Sequence, residues 1–357
     1  MSKSDSFYVF QNEKYFPGLD GLRAIAILLV FTAHPRDQSW LGVVHGPIGV
    51  TLFFVISGFL ITHLLMKEEK KFGKIDFRSF YMRRLFRIYP LYFAVLLIYI
   101  FLILICGFSP ERRNVFIDHL PLLVSPFPEL TWFFHDAQNS VPFNGSWSIG
   151  IEEKFYIFWP FIGFFLLRRR IVSKLIFLLL SFVFFALCNE QNNILLIMAP
   201  YGPIAVGAFC AVLLNCKRVF LFLEKTSHVL VRIFLLVFTM IISVSSSEVL
   251  IGGSLYPLVA ILCGINITLH LASKNSWLIF QRSKTLRYLG IISYSFYLTH
   301  NFAVNFVEAI IPKQESHLFE LSVSCLSLVL SIFVAAIFNK LLEVPARNFG
   351  RRLSGSS

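Results

Sequence analysis

Apolar residues run along most of this chain in long uninterrupted stretches, with polar residues gathered into short intervals between them. The clearest stretches, at 88–108, 175–188, 194–215, 229–247, 255–273 and 317–342, reach or approach the ~20 apolar residues that cross a hydrocarbon core as a helix. Adding the less apolar ones gives ten predicted spans, at 22–35, 47–66, 88–108, 147–167, 175–188, 194–215, 229–247, 255–273, 288–312 and 317–342. The pattern predicts an all-α, polytopic helical membrane protein of about ten transmembrane helices. Residues 1–357 read as a single integral membrane domain, with a core at 15–345 and short tails. Residues 1–20 are polar and lack the apolar core and small-residue site of a cleavable leader, so the first span is expected to act as the insertion signal.

Links between the spans are short except for 109–146, which holds five prolines and the aromatic run from Trp132. Irregular segments of that length are commonly functional. Its middle, 119–134, is apolar enough for a re-entrant piece, while Pro121, Pro126 and Pro128 oppose a full span.

Composition agrees with a membrane: 56% hydrophobic, 15% charged, 41 Phe and a mean hydropathy of +0.71. The net charge of +12 would suit a nucleic-acid partner, but its distribution does not. With the links assigned alternately to the two sides, every basic residue except Arg36, Arg112, Arg113, Lys154 and Lys313 falls on or borders one side. The positive-inside rule makes that side, and both termini, cytoplasmic. The charge therefore records topology, and the partners expected are membrane lipid and a ligand of the in-span polar groups, with no nucleic acid. The six Cys lie in or beside spans without a C-x-x-C pair and read as small packing groups.

Four groups of residues carry candidate chemistry. Arg23 and His34 lie eleven positions apart. On one helix that spacing returns to within about 20° of the same face, roughly 16 Å along the axis. A titratable group at that depth is a functional candidate, and a neutral imidazole is a general base. Asp20 would cap the helix and pair with Arg23, while the plainer alternative makes Arg23 an anchor and His34 a cap before Pro35. Arg83, Arg84 and Arg87 share one helical face at a span mouth, which suits a polyanionic ligand or lipid headgroups.

The third group is Trp147 to Tyr156, where Glu152 and Glu153 enter an apolar run. Adjacent helical residues diverge by about 100°, so one of the two faces any given site; the alternative is an acidic pair favouring the helix dipole, with Lys154 as partner. The fourth is Ser293 to Asn301, with Tyr297 and His300 either lining a site or bonding across helices. Gly46–Gly58 reads as a close-packing stretch. His119, His135 and Asp136 match no standard zinc spacing, so no metal is expected. Glu343-Val-Pro345 reads as a helix stop, with Arg347 as an anchor.

These residues stand in motifs along nearly the whole chain: Leu19-Asp-Gly-Leu-Arg-Ala-Ile-Ala26 with His34 beyond, Gly49-Val-Thr-Leu-Phe-Phe-Val-Ile-Ser-Gly-Phe-Leu-Ile61 and Arg83-Arg-Leu-Phe-Arg-Ile-Tyr-Pro90. Then follow Trp147-Ser-Ile-Gly-Ile-Glu-Glu-Lys-Phe-Tyr156, Ser293-Tyr-Ser-Phe-Tyr-Leu-Thr-His300 and Glu343-Val-Pro345. In this order the chain resembles the acyltransferase-3 family of integral membrane acyltransferases. The resemblance implies transfer of an acyl group, usually acetyl, from cytoplasmic acyl-CoA (acetyl-CoA) to a glycan hydroxyl across a bacterial inner (plasma) membrane. Family acceptors include lipopolysaccharide O-antigen, capsule, exopolysaccharide, peptidoglycan and small glycosylated molecules.

Carried over by position, Arg23 and His34 would be the essential pair, Arg83, Arg84 and Arg87 would meet the CoA phosphates, and Glu152 would sit at the acceptor side. Trp147, Glu153, Tyr156, Tyr297 and His300 would support them. His34 would act as base or be transiently acylated. Some relatives add an eleventh span and a C-terminal SGNH-type domain; this chain is expected to be the stand-alone form. The competing readings are a transporter, against which the lack of an inverted repeat weighs, and a non-catalytic scaffold of polysaccharide export.

Overall fold

Each of the ten apolar stretches holds a helix in the computed structural model, which describes all residues except 1–2, 14, 35–45, 133–140, 144, 189–195, 246–249, 252, 274–282, 315 and 356–357. In chain order the helices are α1 (Lys3–Asn12), α2 (Pro17–Thr32), α3 (Pro47–Phe72), α4 (Phe77–Ile100), α5 (Arg113–Val124), α6 (Ser146–Pro160), α7 (Ile171–Ala186) and α8 (Tyr201–Leu214). They continue with α9 (Lys217–Thr226), α10 (Val229–Ser245), α11 (Tyr256–Ala272), α12 (Lys284–Ile291), α13 (Ser293–Ile310), α14 (His317–Phe338) and α15 (Val344–Leu353). No strand occurs among the described residues. By length and composition, three helical stretches among them can cross a membrane, Pro47–Phe72, Phe77–Ile105 and His317–Leu353, or up to five if each of two bent pairs is one span. Helices α7, α10 and α11 are apolar but shorter.

Local chemistry sets the helix ends. Pro17 and Pro47 stand in first turns, where a missing N–H costs nothing. Gly73, at φ 71°, closes α3 and returns its N–H to the Glu69 carbonyl; a left-handed residue there favours glycine. Asp76 caps α4, accepting from Ser79 N at 3.0 Å and from Ser79 Oγ at 2.6 Å. Ser79 lies outside every motif singled out from the sequence. Asp20, by contrast, is no cap: the residue before α2 is Phe16, and Asp20 sits inside the first turn.

Three π-helical turns extend the helices, at Phe101–Ile105 after α4, Phe161–Leu166 after α6 and Asn339–Glu343 after α14. The last corrects the expected stop at Glu343-Val-Pro345. The wider turn absorbs the change of register, and Pro345 falls in the first turn of α15, where proline is accepted. The helical path therefore continues to Leu353.

Contacts divide the chain into two compact units: Met1–Ala33, Gln38–Ile75 and Phe155–Ile291 form the first, and His34–Asp37, Asp76–Lys154 and Ile292–Ser357 the second. In the first, Val55, Phe59, Val206, Ala211, Val259 and Ala260 belong to one buried cluster. There α3 meets α8 at Gly58 and Gly207, where a Cβ would run into the carbonyl oxygens of Ile204 and Val55. Small residues let helix backbones approach this closely. Lys174 and Glu69 form a buried ion pair at 2.8 Å in the same unit. In the second unit α13 packs on α14, and α15 packs on α4 with the Phe86 and Phe349 rings 5.2 Å apart.

Candidate active site

The second unit holds His34, Arg83, Arg84, Arg87, Trp147, Glu152, Glu153, Tyr297 and His300; Arg23 and Tyr156 belong to the first. Helix α2 ends at Thr32 with Ala33 as its cap. His34 thus stands two residues past the helix and is exposed, which corrects the eleven-residue helical projection from Arg23.

The eight residues from Ser293 to His300 form the first two turns of α13. His300 is 2% exposed, stacked on Phe296 at 5.7 Å and 12°. Its Nδ1 lies 3.1 Å from the Phe296 carbonyl oxygen and 2.9 Å from that of Tyr297. Carbonyls only accept, so Nδ1 carries the proton and Nε2 the lone pair. Nε2 is buried without a hydrogen-bond partner among the described residues. The nearest ring contact from outside α13 is His34, with centroids 4.5 Å apart and planes at 87°. Residues 34 and 300 are thereby brought together across most of the sequence.

Around this pair α13 is fastened by polar contacts. Ser148 Oγ donates to the Tyr297 hydroxyl at 2.7 Å, and a Cβ at Gly145 would come into van der Waals contact with the same ring. The Tyr294 hydroxyl donates to the Ile88 carbonyl at 2.8 Å. Ser295 Oγ and Asn339 Nδ2 both donate to Glu343 Oε2, at 2.6 and 2.9 Å, and Glu343 is 3% exposed. Glu343, expected as a helix stop, and Asn339, which no motif singles out, thus fasten Ser295 of the fourth group. The signal for them was an acidic residue inside an apolar run.

The adjacent carboxylates separate as helical geometry requires. Glu152 is half-buried and within electrostatic reach of Tyr297, whereas Glu153 is buried against Tyr89 of α4. Lys154 is not their ion-pair partner. It pairs with Glu129 at 2.7 Å, donates to the Pro126 carbonyl and lies over the Phe127 ring, so it ties the 109–132 segment to α6. Trp147 is half-buried in the first turn of α6.

Arg83, Arg84 and Arg87 are half-buried on α4, with Arg84 over the Phe80 ring at 5.7 Å. Helix α15, which carries Arg347, Arg351 and Arg352, packs on the same helix at Phe86. The Asp76 carboxyl is held below its ordinary value, first by the Ser79 hydrogen bonds and further by Arg83 and Arg78. Planar donors in this number fit phosphate oxygens.

In the first unit, Arg23 pairs with buried Asp20 at 3.8 Å, and the Tyr156 hydroxyl donates to Ser57 Oγ at 3.4 Å. One turn beyond His300, Phe302, Ala303 and Phe306 wall a cavity of about 510 Å³, which Tyr99, Leu330 and Arg112 also line. His119 Nδ1 bonds the Val115 carbonyl at 2.8 Å, while His135 and Asp136 lie outside the described residues.

Comparison with known proteins adds a family. The family model described as an acyltransferase domain matches residues 16–340. A Staphylococcus aureus protein named "Putative O-acetyltransferase" is 36% identical over 172 residues, 45% of this chain and 27% of that protein. The "Putative peptidoglycan O-acetyltransferase YrhL" of Bacillus subtilis is 34% identical over 175 residues, 46% of this chain and 26% of its own length. O-acetyltransferase OatA of Staphylococcus aureus is 39% identical over 170 residues, 44% of this chain and 26% of its own length. The chain thus spans about a quarter of the length of these relatives. No solved structure matches it.

Proposed function

This chain belongs to the acyltransferase family, and we propose that it is a membrane O-acetyltransferase that moves an acetyl group from cytoplasmic acetyl-CoA to a glycan hydroxyl on the far side of the membrane. On this reading it crosses the bacterial inner membrane about ten times with both termini in the cytoplasm. The observation that carries the proposal is the His34–His300 pair: a titratable imidazole set edge-on to a buried one of fixed tautomer. The names of the relatives support acetyl as the group and a glycan such as peptidoglycan as the acceptor.

The arginines of α4 hold the phosphates of the donor at the cytoplasmic mouth, and Arg23 is a further residue of donor use. His34 removes the proton from the acceptor hydroxyl as its oxygen attacks the thioester carbonyl. The tetrahedral intermediate collapses with cleavage of the C–S bond. His34 returns the proton to the departing thiolate, leaving an O-acetylated glycan and free CoA. Glu152, beside Tyr297, orients the acceptor.

The test uses sealed proteoliposomes with labelled acetyl-CoA outside and muropeptide or polysaccharide enclosed. Wild-type protein should label the enclosed glycan, and His34→Ala should lower the rate by about 10²-fold or more while Arg23→Ala weakens donor use. Folded wild-type protein that labels no acceptor from any acyl donor overturns the proposal in favour of a transporter or scaffold.

A further inference from the structure

His300 Nε2 is a buried group of the second unit that nothing described so far uses. A buried acceptor left without a donor is costly, and this one is held open. Its Nδ1–H is committed to two carbonyls, and its ring is stacked on Phe296. The ring therefore offers one lone pair in one direction. His34 is the ring beside it, and because it lies past the end of α2 its torsions are not set by a helical turn.

We propose that His300 is the positioning residue of His34: its Nε2 accepts the N–H of one His34 nitrogen and leaves the other nitrogen unprotonated toward the acceptor hydroxyl. The inference rests on His34 acting as the base of the proposed transfer. A neutral acceptor buried at this point avoids the desolvation that a carboxylate would suffer there. When His34 takes the acceptor's proton, the N–H donated to Nε2 becomes that of an imidazolium, and the same bond steadies the charge. The proton stays on His34 until it leaves with the thiolate, so His300 neither gains nor loses one. The partner of a base commonly fixes its tautomer in this way.

The test compares His300→Phe, which keeps a planar ring without an acceptor, with His300→Gln, whose side-chain oxygen accepts a hydrogen bond. Both are measured in the proteoliposome assay with thermal unfolding alongside. His300→Phe should lower kcat by about 10²-fold with little change in KM for acetyl-CoA, and His300→Gln should recover about tenfold of that loss. Placed in a His34→Ala background, His300→Phe should cost nothing further, because the two residues act as a unit. A folded His300→Phe protein within about threefold of wild type, or a loss that adds fully to that of His34→Ala, overturns the inference. If His300→Phe does not fold, His300→Gln decides alone: failure to lower kcat while retaining KM sinks it. Wild-type protein without transfer would instead refute the acyltransferase reading itself.

Discussion

Helices α3 and α8 of the first unit touch backbone to backbone at Gly58 and Gly207, whereas α13 of the second is tied to its neighbours by side chains. Tyr294 reaches α4, Tyr297 meets Ser148 of α6, and Ser295 meets Glu343. A glycine contact fixes how near two helices come, through steric limits alone. A set of directed hydrogen bonds fixes rotation as well. An imidazole that must present one nitrogen in one direction needs the second kind of support, and the polar residues of α13 supply it.

The largest effect that would test this contrast is at the glycine contact. Gly207→Val should destabilise the protein by about 3 kcal/mol, the upper end for an overpacked interior, read as a lowered unfolding temperature in detergent. Unfolding at the wild-type temperature would break the account of the first unit. Next comes Glu343→Ala, which strands the Ser295 and Asn339 donors and should cost about 1–3 kcal/mol, with Glu343→Gln retaining an acceptor and losing less. The contrast sharpens if Glu343→Ala also lowers transfer while Gly207→Ala, at equal loss of stability, does not.

The smallest effect is at the N-terminal cap of α4, where Asp76→Ala should cost about 0.5–1 kcal/mol. The folded carboxyl titrates below its ordinary value of 3.8, so its stabilisation is complete above that pH and is lost as pH falls through the folded value. An unfolding temperature measured against pH should converge between wild type and variant only in strong acid.

Much of the fold is legible in hydrophobic runs, because burial in lipid or protein demands them whatever the tertiary arrangement. The loss of helical regularity near His34 is also legible, since Pro35 follows it. The contact between residues 34 and 300 is not, because no local pattern records a meeting of side chains so far apart in sequence. Glu343 was misread for a different reason: proline beside an acid ordinarily ends a helix, and only the inserted π-turn lets the path continue. Lys154 was misjudged because three residues of proximity favoured Glu152 and Glu153, while Glu129 arrives from another segment and takes the ammonium.

The π-turn at Asn339–Glu343 has a reading in terms of ancestry. Such a turn holds one residue more than an α-turn needs, so it is what a single-codon insertion into a straight helix leaves behind. That extra residue rotates everything after it by about 100°. It therefore behaves as a register shift, turning α15 to the azimuth at which Gly350 meets Phe86 of α4. Excising one residue there would restore a plain helix, rotate Gly350 off Phe86 and disturb the bonds that Ser295 and Asn339 give Glu343.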